Sequence, residues 1–262
     1  MTLAVKTYGS GTPLVMLHGW GMNSGVWGSA VDTLSQHFEV LLVDLPGHGD
    51  SSSEAATNQL DDWVDAVLEV VPQEAVWLGW SLGGMVAQRA ALKSPGRVKA
   101  LMMVTSTPCF IRQHDWPAGL DKQGLEKFGE KLMGNTQKAL LRYLGLQVRG
   151  ASDERSTLKR LRESIIKFNP PSREALESGL YLLQHADLRD TLGELAMPTC
   201  WLFGEKDTLV PALTSIYIEK LLPRATRITI PSGGHAPFLS HPVVSETALE
   251  QLVAETLQGA VT

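Results

Sequence analysis

The sequence predicts an α/β fold: a mostly parallel central sheet flanked by helices, with an inserted helical cap. Three observations lead there. Short apolar runs alternate with amphipathic stretches from residue 14 to 105 and again from 199 to 257, the rhythm of strands and helices layered on one sheet. Between 107 and 190 the strand signal vanishes and four helical patterns follow one another. The apolar run at 75–78 ends abruptly in Gly79-Trp80-Ser81-Leu82-Gly83, where a helical pattern takes over. The core is therefore expected over 1–106 and 191–262, and the cap over 107–190.

Residues 3–8 alternate weakly and lead through Gly9-Ser10-Gly11-Thr12-Pro13 into a strand at 14–17, which reads as the start of a hairpin. That strand runs into His18-Gly19-Trp20-Gly21-Met22-Asn23, a loop whose two glycines let main-chain N–H groups point into a cavity. Residues 24–36 suggest a helix, and 39–43 a buried strand ending in Asp44-Leu45-Pro46-Gly47-His48-Gly49. An acidic helix is expected at 60–71, buried strands at 75–78 and 100–105, and between them a helix from Leu82 that Ser94-Pro95-Gly96 stops. The cap patterns fall at 122–133, 136–147, 154–168 and 172–184, divided by Gly134-Asn135, Gly150-Ala151-Ser152 and Asn169-Pro170-Pro171. Strands resume at 199–203 and 226–230, and 244–257 is the closing helix.

A serine at a sharp strand-to-helix turn occupies strained backbone with its hydroxyl thrust out of the sheet. Gly79 and Gly83 flank it because a Cβ at either position would collide with a neighbouring strand or helix. Ser81 is the expected nucleophile. A hydroxyl reacts poorly at neutral pH, so it needs a base, and the base needs a carboxylate to hold its tautomer. The strand at 199–203 runs into Gly204-Glu205-Lys206-Asp207, and the strand at 226–230 into Pro231-Ser232-Gly233-Gly234-His235. Both lie beyond the carboxyl ends of strands, where open α/β sheets carry their sites. His235 is the expected base and Asp207 its partner. Glu205 is the rival carboxylate, ranked second because Asp207 comes just before the apolar turn Leu209-Val210-Pro211. Asp44 and His48 precede Ser81 and stand in a Pro/Gly turn, which sets them aside from direct chemistry. The backbone N–H groups of Leu82 and Trp20 are the expected donors to a developing oxyanion.

At 262 residues, with 44% hydrophobic and 19% charged, the chain can bury a large core. A formal net charge of −5 argues against a general nucleic-acid binder, which needs a basic surface to displace phosphate counterions. Cys109 and Cys200 are far apart and fit neither a metal-ligand spacing nor a disulfide framework, so both are expected to be reduced core thiols; the chemistry of Ser81, His235 and Asp207 implies no metal or cofactor. The N-terminus lacks a basic start followed by a long apolar stretch, and no run is long enough to span a bilayer. A cytoplasmic monomer is the default expectation.

The order Ser81, Asp207, His235 resembles that of the α/β-hydrolases. The stretches LHGWGMN at 17–23, VDLPGHG at 43–49, WLGWSLGG at 77–84, PCF at 108–110 and HAPFLSHP at 235–242 are similar, more narrowly, to the pimeloyl-acyl-carrier-protein methyl ester esterases of biotin synthesis. The likeness extends to Asp115-Trp116 and Leu146-Gln147, so it covers nearly the whole chain. It implies a serine carboxylesterase without cofactor, acting on a pimeloyl methyl ester held by an acyl carrier protein and releasing methanol. It also implies a substrate site lined by Trp20, Ser81, Leu82, Tyr143, Leu144, Gly145, Leu146, Gln147 and His235. Tyr143 stands where the resemblance leads one to expect phenylalanine, and Lys138 and Lys159 where one expects arginine.

Charge distribution adds to this. Residues 138–173 carry nine Lys or Arg against three Asp or Glu in a chain that is acidic overall. Arg155, Lys159 and Arg162 share one helical face, and Lys138 and Arg142 form an i, i+4 pair. A plain solvated face is the ordinary reading of such a run. The other is a docking surface for an acidic carrier protein, formed by Lys138, Arg142, Arg155 and Lys159. Two further functions use the same framework: a general short-chain carboxylesterase or carbon–carbon bond hydrolase, and a non-catalytic ligand receptor.

Overall fold

The computed structural model describes residues 2–134, 136–149 and 153–259. In chain order the elements are β1 (Val5–Tyr8), β2 (Thr12–Leu17), α1 (Ala30–Leu34), β3 (Phe38–Val43), α2 (Leu60–Val70), β4 (Ala75–Trp80), α3 (Leu82–Lys93) and β5 (Val98–Val104). Then come α4 (Lys122–Gly134), α5 (Thr136–Val148), α6 (Glu154–Ile165) and α7 (Arg173–His185), followed by β6 (Thr199–Gly204), α8 (Thr214–Leu221), β7 (Thr226–Ile230), α9 (Pro237–Ser240) and α10 (Pro242–Gly259).

The seven strands form one sheet in the order β1-β3-β2-β4-β5-β6-β7, parallel except for β1. Burial follows position in that sheet. Every residue of β4 and β6 is buried, which is why they read as unbroken apolar runs, while the edge strands β1 and β7 are half open. The carboxyl ends of β4, β5, β6 and β7 lie side by side, with Gly79 opposite Met103, Val104 opposite Leu202 and Gly204 opposite Ile230. The loops after them therefore converge.

Three local expectations change. β1 and β2 make no hairpin: β1 pairs antiparallel with β3, Val5 opposite Val43, and β2 pairs with β3 and β4. Residues 24–36 do not form one helix. They form a single 3-10 turn, Ser24–Trp27, and the short α1, separated at Gly28 by φ +47°, a conformation glycine adopts freely. The segment before α4 is not purely helical either, since isolated bridges join Cys109 to Asp187 and Ile111 to Leu120. No described helix is long and apolar enough to cross a membrane.

Candidate active site

Ser81 occupies the turn between β4 and α3 with φ 55° and ψ −120°, backbone that costs a residue with a side chain. Its flanking glycines are required by contact. A Cβ on Gly79 would lie 2.6 Å from the Gly83 oxygen, and one on Gly83 would strike the carbonyls of Leu17 and His18. This tight crossing turns the hydroxyl toward the loop after β7. There His235 Nε2 stands 2.9 Å from Ser81 Oγ, and His235 Nδ1 stands 2.7 Å from Asp207 Oδ2. The other Asp207 oxygen accepts N–H groups from Leu209 at 2.7 Å and Val210 at 3.0 Å. The carboxylate is thus fixed from both sides, and all three residues are buried. With Nδ1–H donated to Asp207, Nε2 is left to accept the serine proton.

Glu205 is elsewhere. It is exposed, accepts the Ser232 N–H at 3.0 Å and pairs with Lys206 at 3.5 Å; the Ser232 hydrogen bond leads in holding its carboxyl below the usual range.

Spacing alone does not reveal what holds the His235 backbone. The Trp80 indole and the Thr105 hydroxyl both donate to the His235 carbonyl at 2.7 Å, and the His235 N–H donates to the Gln147 carbonyl of α5 at 3.0 Å. The Ser106 hydroxyl donates to the Ser81 carbonyl at 2.7 Å. Trp80 and Gln147 stand in stretches the sequence singles out, whereas Thr105 and Ser106 do not.

A Cβ on Gly19 would come within 3.3 Å of the Ser81 Cβ, so the 18–23 loop passes directly beside the serine. Gly21 N–H donates to His48 Nε2 at 3.1 Å and Met22 N–H to the Gly19 carbonyl at 3.2 Å, whereas the N–H groups of Trp20 and Leu82 donate to no acceptor among the described residues. The Trp20 indole donates to the Leu176 carbonyl at 3.0 Å, tying this loop to α7.

A cavity of about 240 Å³ opens from Ser81, walled by Trp20, Phe128, Tyr143, Leu146, Leu180 and Leu183 among others. Of the residues expected to line it, Trp20, Ser81, Tyr143 and Leu146 do so; Leu82, Leu144, Gly145, Gln147 and His235 are not in its wall. The helical period explains α5: Tyr143 and Leu146 share a face, Leu144 is buried in the core, and a Cβ on Gly145 would meet nothing within 4 Å. Phe128, Leu180 and Leu183 carry no chemical signal that sets them apart from core residues. Arg142, Arg155 and Lys159 are exposed, with Lys159 3.8 Å from Glu163; Lys138 is on α5, its side chain outside those described. Among the described residues no cluster of three or more His, Cys, Asp or Glu could hold a metal.

A family model described as the alpha/beta hydrolase fold matches residues 12–242. The chain belongs to the α/β hydrolase fold family. This hydrolase is 43% identical to the pimeloyl-[acyl-carrier protein] methyl ester esterase of Nitrosomonas europaea, over 92% of this chain and 95% of that protein. It is 41% identical to the protein of the same name from Xanthomonas axonopodis pv. citri, over 95% of this chain and 98% of that one. Among solved structures, the esterase EaEST from Exiguobacterium antarcticum superposes with a TM-score of 0.84 at 22% identity, covering 97% of this hydrolase and 95% of that chain, a likeness of fold.

Asp44, His18 and His48 brace the hydrolase from behind. His48 Nε2 takes the Gly21 N–H, His18 Nε2 takes the Leu45 N–H at 3.0 Å, and Asp44 takes the N–H groups of Ser24 at 2.6 Å and Asp50 at 3.1 Å. Each imidazole must be neutral to accept. Burial first, and then the neighbouring His18, push His48 from 6.5 down to about 3, while burial also lowers His18. A histidine depressed on folding stabilises the fold above its unfolded pKa, and that stability is lost as pH falls from 6.5 toward 3. Stability should therefore drop with acid by up to about 1.4 kcal/mol per pH unit for this one group. Denaturant titrations of the native protein and His48→Gln at several pH values in that window check this: the variant should show the shallower slope, and equal slopes would refute it.

Proposed function

We propose that this α/β hydrolase cleaves carboxylic esters through an acyl-enzyme on Ser81, and that its substrate is the methyl ester of a pimeloyl chain carried by an acyl carrier protein. The observation that carries the reaction type is the continuous hydrogen-bonded series from Ser81 through His235 to Asp207, opening into a small apolar cavity. The names of the relatives supply the substrate.

In this reading His235 Nε2 takes the Ser81 proton as Oγ bonds to the ester carbon, and Asp207 stabilises the imidazolium that forms. The Trp20 and Leu82 N–H groups receive the oxyanion, a contribution of about 3 kcal/mol for one donor. His235 then protonates the methoxide as it leaves, and water releases the acid. The apolar cavity suits the methylene chain, and nothing in this reaction calls for a metal or cofactor.

The deciding experiment incubates the protein with a carrier-bound pimeloyl methyl ester and follows intact mass: loss of one CH2 from the carrier and release of methanol support the reading, and an unchanged mass refutes it. The same assay tests the basic face of α5 and α6. Reversing Arg142, Arg155 and Lys159 together to Glu should lower kcat/KM on the carrier ester about 10- to 100-fold at low salt, since rim charges act on association and are screened by salt. The loss should shrink at high salt, and a short p-nitrophenyl ester should be hydrolysed as before. No loss on either substrate would return the basic face to its ordinary reading as a solvated surface.

A further inference from the structure

One phenol stands beside Ser81 in a cavity wall that is apolar apart from Asp121. The ring of Tyr143 packs edge-on against Trp20, centroids 4.8 Å apart, and lies 5.9 Å from Phe128. Its hydroxyl lies beside the Gln147 amide and the Ser81 hydroxyl. Gln147, one turn along the same helical face, is fully buried; its carbonyl takes the His235 N–H, and its Oε1 has no hydrogen-bond partner among the described residues. A phenol and an amide are therefore held where His235 meets Ser81, the place from which an alcohol must leave and to which water must come. Burial raises the phenol well above its ordinary range, so it stays neutral, able both to donate and to accept. Asp121 also lines the cavity, but it is exposed and engaged by the Gly124 N–H at 2.8 Å.

Resting on the esterase reading, we infer that the Tyr143 hydroxyl, backed by Gln147, binds and orients the water that hydrolyses the acyl-enzyme. The phenol oxygen, set beside the Gln147 amide, accepts one O–H of the water and leaves the other O–H for His235 Nε2. The water oxygen bonds to the acyl carbon as Nε2 takes that proton. The bond from the acyl carbon to Ser81 Oγ then breaks, Nε2 returns the proton to Oγ, and the product acid keeps the hydrogen that faced the phenol. Fixing the water before attack removes orientational entropy from the barrier.

Tyr143→Phe preserves the ring and its packing, so it isolates the hydroxyl. A p-nitrophenyl ester separates the two steps, because p-nitrophenolate leaves without needing a proton and its burst reports acylation alone. Deacylation should slow about tenfold, the effect of one lost hydrogen bond in the transition state, with the burst rate changed less than twofold. Intact mass spectrometry should show acyl-enzyme accumulating, and Gln147→Met should slow the same step to a smaller degree. Unchanged deacylation, or equal slowing of both steps, would overturn the inference. Native protein that turns over no ester would sink the esterase reading itself, a result distinct from either.

Discussion

Ser81→Ala is expected to lower ester turnover about a millionfold while the protein still folds. The size of the loss follows from what the hydroxyl alone supplies. In the proposed mechanism Oγ bonds to the substrate carbon, and His235 and Asp207, hydrogen-bonded in series to it, act through it. Without it the remaining groups serve a reaction with free water, and rates fall to what oxyanion donors and binding provide. Stability should move little. The backbone at φ 55° is equally strained for Ser and Ala, and the exchange removes one hydrogen bond, about 1 kcal/mol. Turnover of a short chromogenic ester and the thermal midpoint, measured on the same preparation, test both halves. Retention of most activity would exclude Ser81 as nucleophile; collapse of the fold would mean that the hydroxyl had a structural role the geometry does not reveal.

The features that announce Ser81 in the sequence are those for which chemistry leaves few choices. Gly79 and Gly83 are forced by backbone contacts of the turn, and β4 and β6 are forced to be apolar by burial on both faces, so each leaves a pattern. The pairing of β1 leaves none, because its antiparallel place on the open edge of β3 is decided by contacts distant in sequence and not by the turn at Gly9 to Pro13. Residues 24–36 carry a helical pattern interrupted by Gly28, whose φ of +47° becomes visible only in three dimensions. α8 leaves no clear helical pattern, because Leu213 just before it and Ile216 within it are exposed, which blurs its apolar stripe. The histidines divide in the same way. His235 is flagged by its place after a strand and by its order, whereas the bracing work of His18 and His48 depends on N–H groups from loops that only folding brings to them.

Asp207→Asn is expected to lower kcat about 10⁴-fold with little change in KM, and the mechanism of that loss is specific. In the native site one carboxylate oxygen accepts Nδ1–H of His235 while the other accepts two main-chain N–H groups, from Leu209 and Val210. An asparagine has only one acceptor oxygen, and two fixed backbone donors claim it. Its NH2 group must then face Nδ1, which can answer only by giving up its hydrogen and accepting. The imidazole proton moves to Nε2, so the nitrogen 2.9 Å from Ser81 Oγ becomes a donor and can no longer take the serine proton. The charge that stabilised the imidazolium is lost at the same time. Glu205→Gln offers the control, since the Gln oxygen can still accept the Ser232 N–H and the residue is exposed, away from His235. Its turnover should stay within about twofold of the native rate, as for most surface exchanges that keep their hydrogen bond. Steady-state kinetics of both variants on one short ester decide the matter: a greater loss in Glu205→Gln would transfer the role of the acid to Glu205 and leave the Asp207 hydrogen bond to His235 without a catalytic purpose.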